Sequence, residues 1–191
     1  MTGPRGVLAW MARAMLSLAL LLGLWVGPAQ AFDNPDLLPD HPTPVIDLAK
    51  ILTDPQRSAL EAELEDFEQV SGWKLRVLTQ YDRTPGLAVK DFWGLDERSL
   101  LLIADERGGN LLNFNVGDAL FALMPRTYWV ELQTRFGNVY YVRDHGQDAA
   151  ILDERARIVA IYGQKLGEAG INIAGLFVRS EEHTSELQSP M

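Results

Sequence analysis

The feature that most constrains the fold is the apolar run SLLLIA at residues 99–104. A continuous apolar run of this length is typical of a strand that is covered on both faces of its sheet. The segment WKLRVLTQ at residues 73–80 alternates apolar and polar residues and predicts a second strand. The order of strand, helix and buried strand therefore predicts an α/β fold.

The strongest helix signal lies upstream, in TDPQRSALEAELEDFEQVSG at residues 53–72. Thr53 is placed to cap this helix, and Gln56 completes a capping box. Gly72 is placed to end it. One apolar face is predicted, formed by Leu60, Leu64 and Phe67, with Val70 as a further candidate.

A hairpin is predicted where ERGG, at residues 106–109, joins the buried run to NLLNFNVG. The two glycines make a positive φ available to this turn. The next segment, DALFALMPRTYWVELQTRFG, predicts two helical pieces separated at Pro125. Asp118, which follows Gly117, is predicted to be the N-cap of the first piece.

Charge and composition exclude several classes of protein. The net charge of −9 and the pI near 4.8 oppose a nucleic-acid partner, which needs clustered lysine and arginine. The absence of cysteine excludes disulfides, thiolate nucleophiles and cysteine-ligated zinc or iron–sulfur clusters. The chain has 3 histidines, which leaves little material for a histidine metal site or a Ser-His-Asp triad.

Residues 1–31 predict a secretory signal peptide. Arg5 and Arg13 precede the apolar run AMLSLALLLGLWV, and the small residues Ala29 and Ala31 form the cleavage site. The run is short for a membrane span, and an uncleaved anchor is the alternative. Cleavage after Ala31 leaves a proline-rich segment, residues 32–44, which is predicted to be an extended lead-in.

The C-terminal part of the chain changes character. KLGEAGINIAGLFV resembles part of the ACT regulatory domain of phosphoglycerate dehydrogenases. RSEEHTSELQSPM resembles the conceptual translation of a sequencing adapter. We therefore predict that the domain ends at Asp153, that residues 154–178 are a foreign ACT-like fragment, and that residues 179–191 are an adapter-derived artefact.

The region between these ends, residues 45–153, resembles the TPM domain family. The matching stretches are PVIDLAKILTDPQRSALEAELEDFEQVSGWKLRVLT and LLLIADERGGNLLNFNVGD. The added segments GWKLRVLTQYDRTPG, VKDFWGLD and ALMPRTYWVELQTRFGN are similar to the thylakoid-lumen subgroup of cyanobacteria and plants, which is associated with photosystem II repair and assembly. The resemblance implies a three-layer αβα sandwich on a mixed, mostly parallel sheet. With the signal peptide, it places the protein in the thylakoid lumen or the periplasm.

The resemblance also implies that calcium or another divalent cation is bound by acidic side chains at one end of the sheet. If the two predicted strands are parallel, their carboxyl ends bring Asp82, Asp105 and Glu106 to the same edge. Asp47 is the family-matched addition, and a hard cation prefers such oxygen ligands. Each residue also has a structural interpretation: Asp47 as a helix-start or loop-capping residue, Asp82 in an Asx turn, and Asp105 and Glu106 as polar turn residues.

Two functions follow from this resemblance. The first is a lumenal accessory protein that binds photosystem II subunits or assembly intermediates, membrane-associated on the lumenal side. The second is a metal-dependent acid phosphatase, an activity credited to plant members. The sequence contains no P-loop, dinucleotide motif or nucleophile elbow. We favour the first function because no set of residues demands catalysis. An ACT-type amino-acid sensor would follow from the C-terminal segment alone.

Overall fold

A computed structural model describes residues 33–168. The strands are β1 Val45–Asp47, β2 Lys74–Gln80, β3 Ser99–Asp105 and β4 Leu112–Val116. The α-helices of this part are α1 Asp54–Ser71, α2 Ala88–Trp93, α3 Asp118–Leu123, α4 Arg126–Phe136, α5 Val139–His145 and α6 Gln147–Glu168, with short 3-10 helices at Pro35–Leu37 and Glu106–Gly108. The predicted signal peptide, most of the ACT-like resemblance and the adapter-like tail lie outside the described residues.

The four strands form one mixed sheet in the order β1-β2-β3-β4. β1, β2 and β3 are parallel, and β4 is antiparallel to β3. The parallel connections pass through α1 and α2, as expected for crossover units. β3 and β4 form the predicted hairpin, in which Gly109 adopts a φ of 80°. The predicted α/β fold with a mostly parallel sheet is therefore confirmed.

β3 lies at the centre of the packing because both faces of the sheet are covered there. On one face, Leu100 and Leu102 belong to a large core that also contains residues of α1, α4 and α6. On the other face, Leu101 packs in a smaller cluster with Val89 and Trp93 of α2. Helices thus flank both faces of the sheet.

The N-terminal lead-in contains one turn of 3-10 helix and is hydrogen-bonded to the side of the domain that contains the smaller cluster. The indole nitrogen of Trp93 donates to the carbonyl of Thr43 at 2.7 Å. The amide of Leu87 donates to the Asp33 carboxylate at 2.6 Å. These bonds, together with the burial of Leu37, make the lead-in part of the packed domain.

The local signals in the sequence correspond to real helix ends. Thr53 and Gln56 form the capping box of α1, and Gly72 ends the helix with a φ of 70°. Pro125 separates α3 from α4, as predicted. The cap of α3 differs from the prediction: Gly117 occupies the N-cap position, and Asp118 is the first helical residue. An acidic residue in the first turn still interacts favourably with the helix dipole.

The predicted domain end at Asp153 falls inside α6, which continues to Glu168. Beyond Asp153, the buried residues of α6 are Glu154, Ile158, Val159, Tyr162, Gly163 and Leu166. The Tyr162 ring contacts Phe67 of α1 edge-on, with 5.5 Å between ring centroids. The packed unit extends past the expected boundary because apolar residues keep helical spacing there.

No helix within residues 33–168 combines the length and apolar character needed to cross a membrane.

Candidate functional site

The three parallel strands end at one edge of the sheet, where the sequence predicted a cation site. In the sheet register, Asp47 is the partner of Thr79, and Gln80 is the partner of Asp105. The loops that follow β1, β2 and β3 therefore leave from the same edge. Ligand sites of open α/β sheets lie at such edges.

Asp47 binds its own loop with both carboxylate oxygens. Oδ1 accepts from the amide of Ile51 at 3.0 Å, and Oδ2 accepts from the amide of Leu52 at 3.0 Å. The buried hydroxyl of Thr79 also donates to Oδ1, while it accepts from the amide of Ala49 at 3.1 Å. These bonds close the turn between β1 and α1, so Asp47 acts as a loop cap in this structure.

Asp105 is held by Arg107 and Gln80. The Arg107 side chain donates to Asp105 at 2.9 and 2.6 Å, and its backbone amide donates at 3.0 Å. The Gln80 amide nitrogen donates to the same carboxylate at 2.7 Å. The Arg107 guanidinium, helped by Gln80 and opposed by burial, lowers the pKa of Asp105 to about 2. Asp105 is therefore an ionised, fully compensated carboxylate.

Asp82 and Glu106 are exposed at the same edge. The charge of Asp82 reaches Arg107, whose pKa is raised by Asp105 first and by Asp82 to a smaller extent. Across residues 33–168, no group of three or more histidine, aspartate or glutamate side chains is arranged to hold a metal ion. The edge thus gathers the predicted carboxylates without converging them on one point.

A shallow cleft of about 230 Å³ opens at this edge. Its lining residues are Ala49, Ile51, Gln80, Tyr81, Glu106 and Gln147. The Gln80 side-chain nitrogen donates to Asp105, and the side-chain oxygen of the same amide is buried without a hydrogen-bond partner. The cleft is therefore lined by amide, phenol and carboxylate groups together with the apolar side chains of Ala49 and Ile51.

A family model for the TPM domain matches residues 45–161. The chain belongs to the TPM domain family. This match confirms the resemblance inferred from the sequence and, like α6, extends the TPM domain past Asp153.

One similar sequence and one similar solved structure accompany the family match. The chain is 43% identical over 150 residues to "Thylakoid lumenal 15.0 kDa protein 2, chloroplastic" of Arabidopsis thaliana. The aligned residues cover 75% of this chain and 66% of that protein. The solution NMR structure of the N-terminal domain of a protein from P. gingivalis superimposes with a TM-score of 0.57 at 16% identity, covering 71% of this chain and 91% of that one. The second likeness shows that the fold is shared.

Several residues of the edge escaped the sequence analysis. Thr79 and Gln80 were assigned only to a strand, and Arg107 only to a turn. Their roles depend on the pairing of β1 with β2 and of β2 with β3, which brings residues distant in sequence together. Gln147 reaches the cleft from the start of α6, and no local signal marks it.

The donor set of the TPM edge does not fit a divalent cation as it stands. A calcium ion in a protein is coordinated by about six to eight oxygen atoms. Both oxygens of Asp47 accept hydrogen bonds from the chain, and both oxygens of Asp105 face Arg107 or Gln80. An ion would have to displace Arg107 to reach Asp105. Cation binding by Asp47, Asp82, Asp105 and Glu106 stays a prediction.

Replacing Arg107 with alanine is expected to raise the pKa of Asp105 from about 2 toward its ordinary value of 3.8, because the guanidinium is the largest cause of the shift. Because the pKa of Asp105 is lower in the folded protein than its ordinary value, the carboxylate stabilises the fold at pH values above 3.8. This contribution is lost as the pH falls toward 2. NMR titration of the side-chain carboxyl of Asp105 measures the change.

The matched control is Arg143→Ala, which removes an arginine from an exposed ion pair with Asp144. This control should leave the titration of Asp105 unchanged. An Asp105 that titrates identically in the wild-type protein and in Arg107→Ala would contradict the assigned cause.

Proposed function

We propose that this TPM-domain protein is a lumenal accessory factor that binds photosystem II subunits or assembly intermediates on the lumenal side of the thylakoid membrane. The compartment is supported by the 43% identity with a protein named as thylakoid lumenal in Arabidopsis. The partner is supported by the segments that resemble the photosystem II-associated subgroup. The match covers 66% of that relative, so both inferences concern the domain that the two proteins share.

The observation that favours binding over hydrolysis is the bonding of the edge carboxylates. A metal-dependent phosphatase uses its ion to polarise the ester and to activate water, and its ligands must be free to hold that ion. Asp47 and Asp105 instead accept hydrogen bonds from the chain and from Arg107. The edge therefore serves better as a preformed surface than as a reaction centre.

Two exposed apolar side chains lie in the loop that follows β2 at this edge. Tyr81 is 50% exposed and lines the cleft, and Leu87 is 58% exposed. Aromatic and aliphatic side chains of this kind anchor protein–protein interfaces. The amide of Leu87 is fixed by Asp33, so this end of the loop is positioned before a partner arrives.

The test is affinity recovery of the full chain from solubilised thylakoid membranes of a cyanobacterial host that expresses a tagged copy. We expect enrichment of photosystem II subunits, measured by quantitative mass spectrometry. The double variant Tyr81→Ala/Leu87→Ala should lower that enrichment several-fold. The matched control Val130→Ala/Val139→Ala removes two equally exposed apolar side chains from α4 and α5 and should retain it. Absence of photosystem II subunits from the wild-type eluate would overturn the proposed partner.

A second assay tests the alternative, a metal-dependent acid phosphatase. The purified full chain is incubated with p-nitrophenyl phosphate in the presence and absence of calcium or magnesium. The proposal expects no turnover above the buffer control. Ion-dependent turnover that is lost in Asp105→Asn, with an unchanged melting temperature, would establish the phosphatase instead.

A further inference from the structure

A buried acidic residue lies on α6, two turns after Gln147 and outside the lining of the cleft. Glu154 is 0% exposed, and both of its carboxyl oxygens are buried without a hydrogen-bond partner. It forms no ion pair with any residue of the described region 33–168. Buried polar groups are almost always hydrogen-bonded, so a carboxyl in this position requires a specific explanation.

Aromatic residues with buried polar atoms lie on α6 itself and on α4, which packs against it. The charge of Glu154 acts on Tyr128, and Tyr128 in turn interacts with Tyr162, which lies two turns further along α6. Tyr128 and Trp129 belong to α4, which packs against α6. The hydroxyls of Tyr128 and Tyr162 and the indole nitrogen of Trp129 are also buried without partners.

The charged groups around this cluster do not neutralise Glu154. Burial raises the pKa of Tyr128 to about 12, with Arg157 opposing this shift and the charges of Glu131 and Glu154 adding to it. Arg155, the residue after Glu154, forms an ion pair with Glu63 of α1 instead. Burial also raises the pKa of Tyr162, and Tyr128 adds to that shift. The face of α1 that contacts Tyr162 presents the apolar ring of Phe67.

Placing an unpaired carboxylate in such an environment is unfavourable, because the charge loses its hydration without gaining a partner, so the group binds a proton instead. Burial alone raises the pKa of Glu154 to about 8. In the unfolded chain the same group titrates near 4.5. Between these values the folded protein holds a proton that the unfolded chain releases.

We propose that Glu154 is an internal proton-binding site that makes the packing of α6 against the rest of the domain depend on pH. With the proton bound, the carboxyl is neutral and the core around α6 closes. Without it, the charge has to reach water or a cation, which requires α6 to separate from α4 and α1. The stability contributed by this site is fully present below about pH 4.5 and is lost as the pH rises through about 8.

The test is urea unfolding of the full chain between pH 5 and pH 9. Release of one proton on unfolding raises the unfolding equilibrium constant by up to about ten-fold per pH unit within the window below pH 8. We expect Glu154→Gln to remove this component of the pH dependence, because glutamine is neutral throughout. The matched control, Glu131→Gln on the exposed side of α4, should retain the wild-type slope. Equal slopes in Glu154→Gln and the wild-type protein would overturn the proposal.

If the Glu154→Gln variant does not fold, a second measurement, made on the wild-type protein, tests the proposal. Hydrogen exchange, corrected for the intrinsic dependence of the exchange rate on pH, compares α6 with α1 and β3 at pH 6 and pH 8.5. The proposal expects the protection factors of α6 to fall more than those of α1 and β3 at the higher pH. Protection that changes equally in all three elements would contradict it.

Discussion

Gly117→Ala is expected to destabilise the domain by about 3 kcal/mol, at the upper end of the usual range for overpacking. A Cβ at this position would lie 2.3 Å from the carbonyl oxygen of Glu97 and 2.7 Å from that of Asp96. These are backbone atoms, and both carbonyls are hydrogen-bonded: Ala119 donates to Glu97 at 3.0 Å, and Ser99 donates to Asp96 at 3.2 Å. Gly117 itself donates to the carbonyl of Ser99 at 2.8 Å. The strain arises from lack of space, since the φ of Gly117 is −65°.

Urea denaturation measures this loss. The matched control is Gly167→Ala near the end of α6, where a new Cβ meets no atom within 4 Å. Alanine is favoured over glycine in helices, so the control should be neutral or slightly stabilising, by under about 1 kcal/mol. A Gly117→Ala protein as stable as the control would mean that the start of β3 and the end of β4 separate more easily than their hydrogen bonds indicate.

Asp47→Ala is expected to cost about 3 kcal/mol of folding stability. The substitution leaves the amides of Ile51 and Leu52 without their acceptor in a partly buried turn. Each unsatisfied group costs about 1–3 kcal/mol, and bonds to a charged acceptor are at the strong end. The turn also contains Lys50 at a φ of 54°, a left-handed conformation that depends on its neighbours to be maintained.

Thermal and urea unfolding of Asp47→Ala and Asp47→Asn separate the contributions. Asparagine retains one acceptor oxygen and the size of the side chain, so its loss should be roughly half as large. A loop cap stabilises the fold in the absence of any divalent ion, and the ranking should therefore persist in the presence of a chelator. Wild-type stability in Asp47→Ala would contradict the role as a loop cap.

The elements that the sequence predicted correctly are those whose information is local. Thr53 and Gln56 lie three residues apart and specify the start of α1. Gly109 provides the positive φ of the hairpin within the turn itself. SLLLIA identified the central strand because burial on both faces requires apolar residues at nearly every position.

The site was predictable only to the level of the sheet edge. The sequence placed Asp47, Asp82, Asp105 and Glu106 there, but it did not show which atoms each carboxylate contacts. The bond from Thr79 to Asp47 spans 32 residues, and the bond from Gln80 to Asp105 spans 25. Glu154 was assigned to a foreign fragment, so its burial was not considered.

The continuity of α6 bears on how the protein is handled in the laboratory. A recombinant version trimmed at the change in sequence character after Asp153 would remove Ile158, Val159 and Tyr162, and with them one side of the main apolar cluster. Such a fragment would expose Phe67 to solvent and is expected to precipitate or to be degraded by proteases. A recombinant version that keeps α6 through Glu168 retains these residues and the interior side of the cluster that they form.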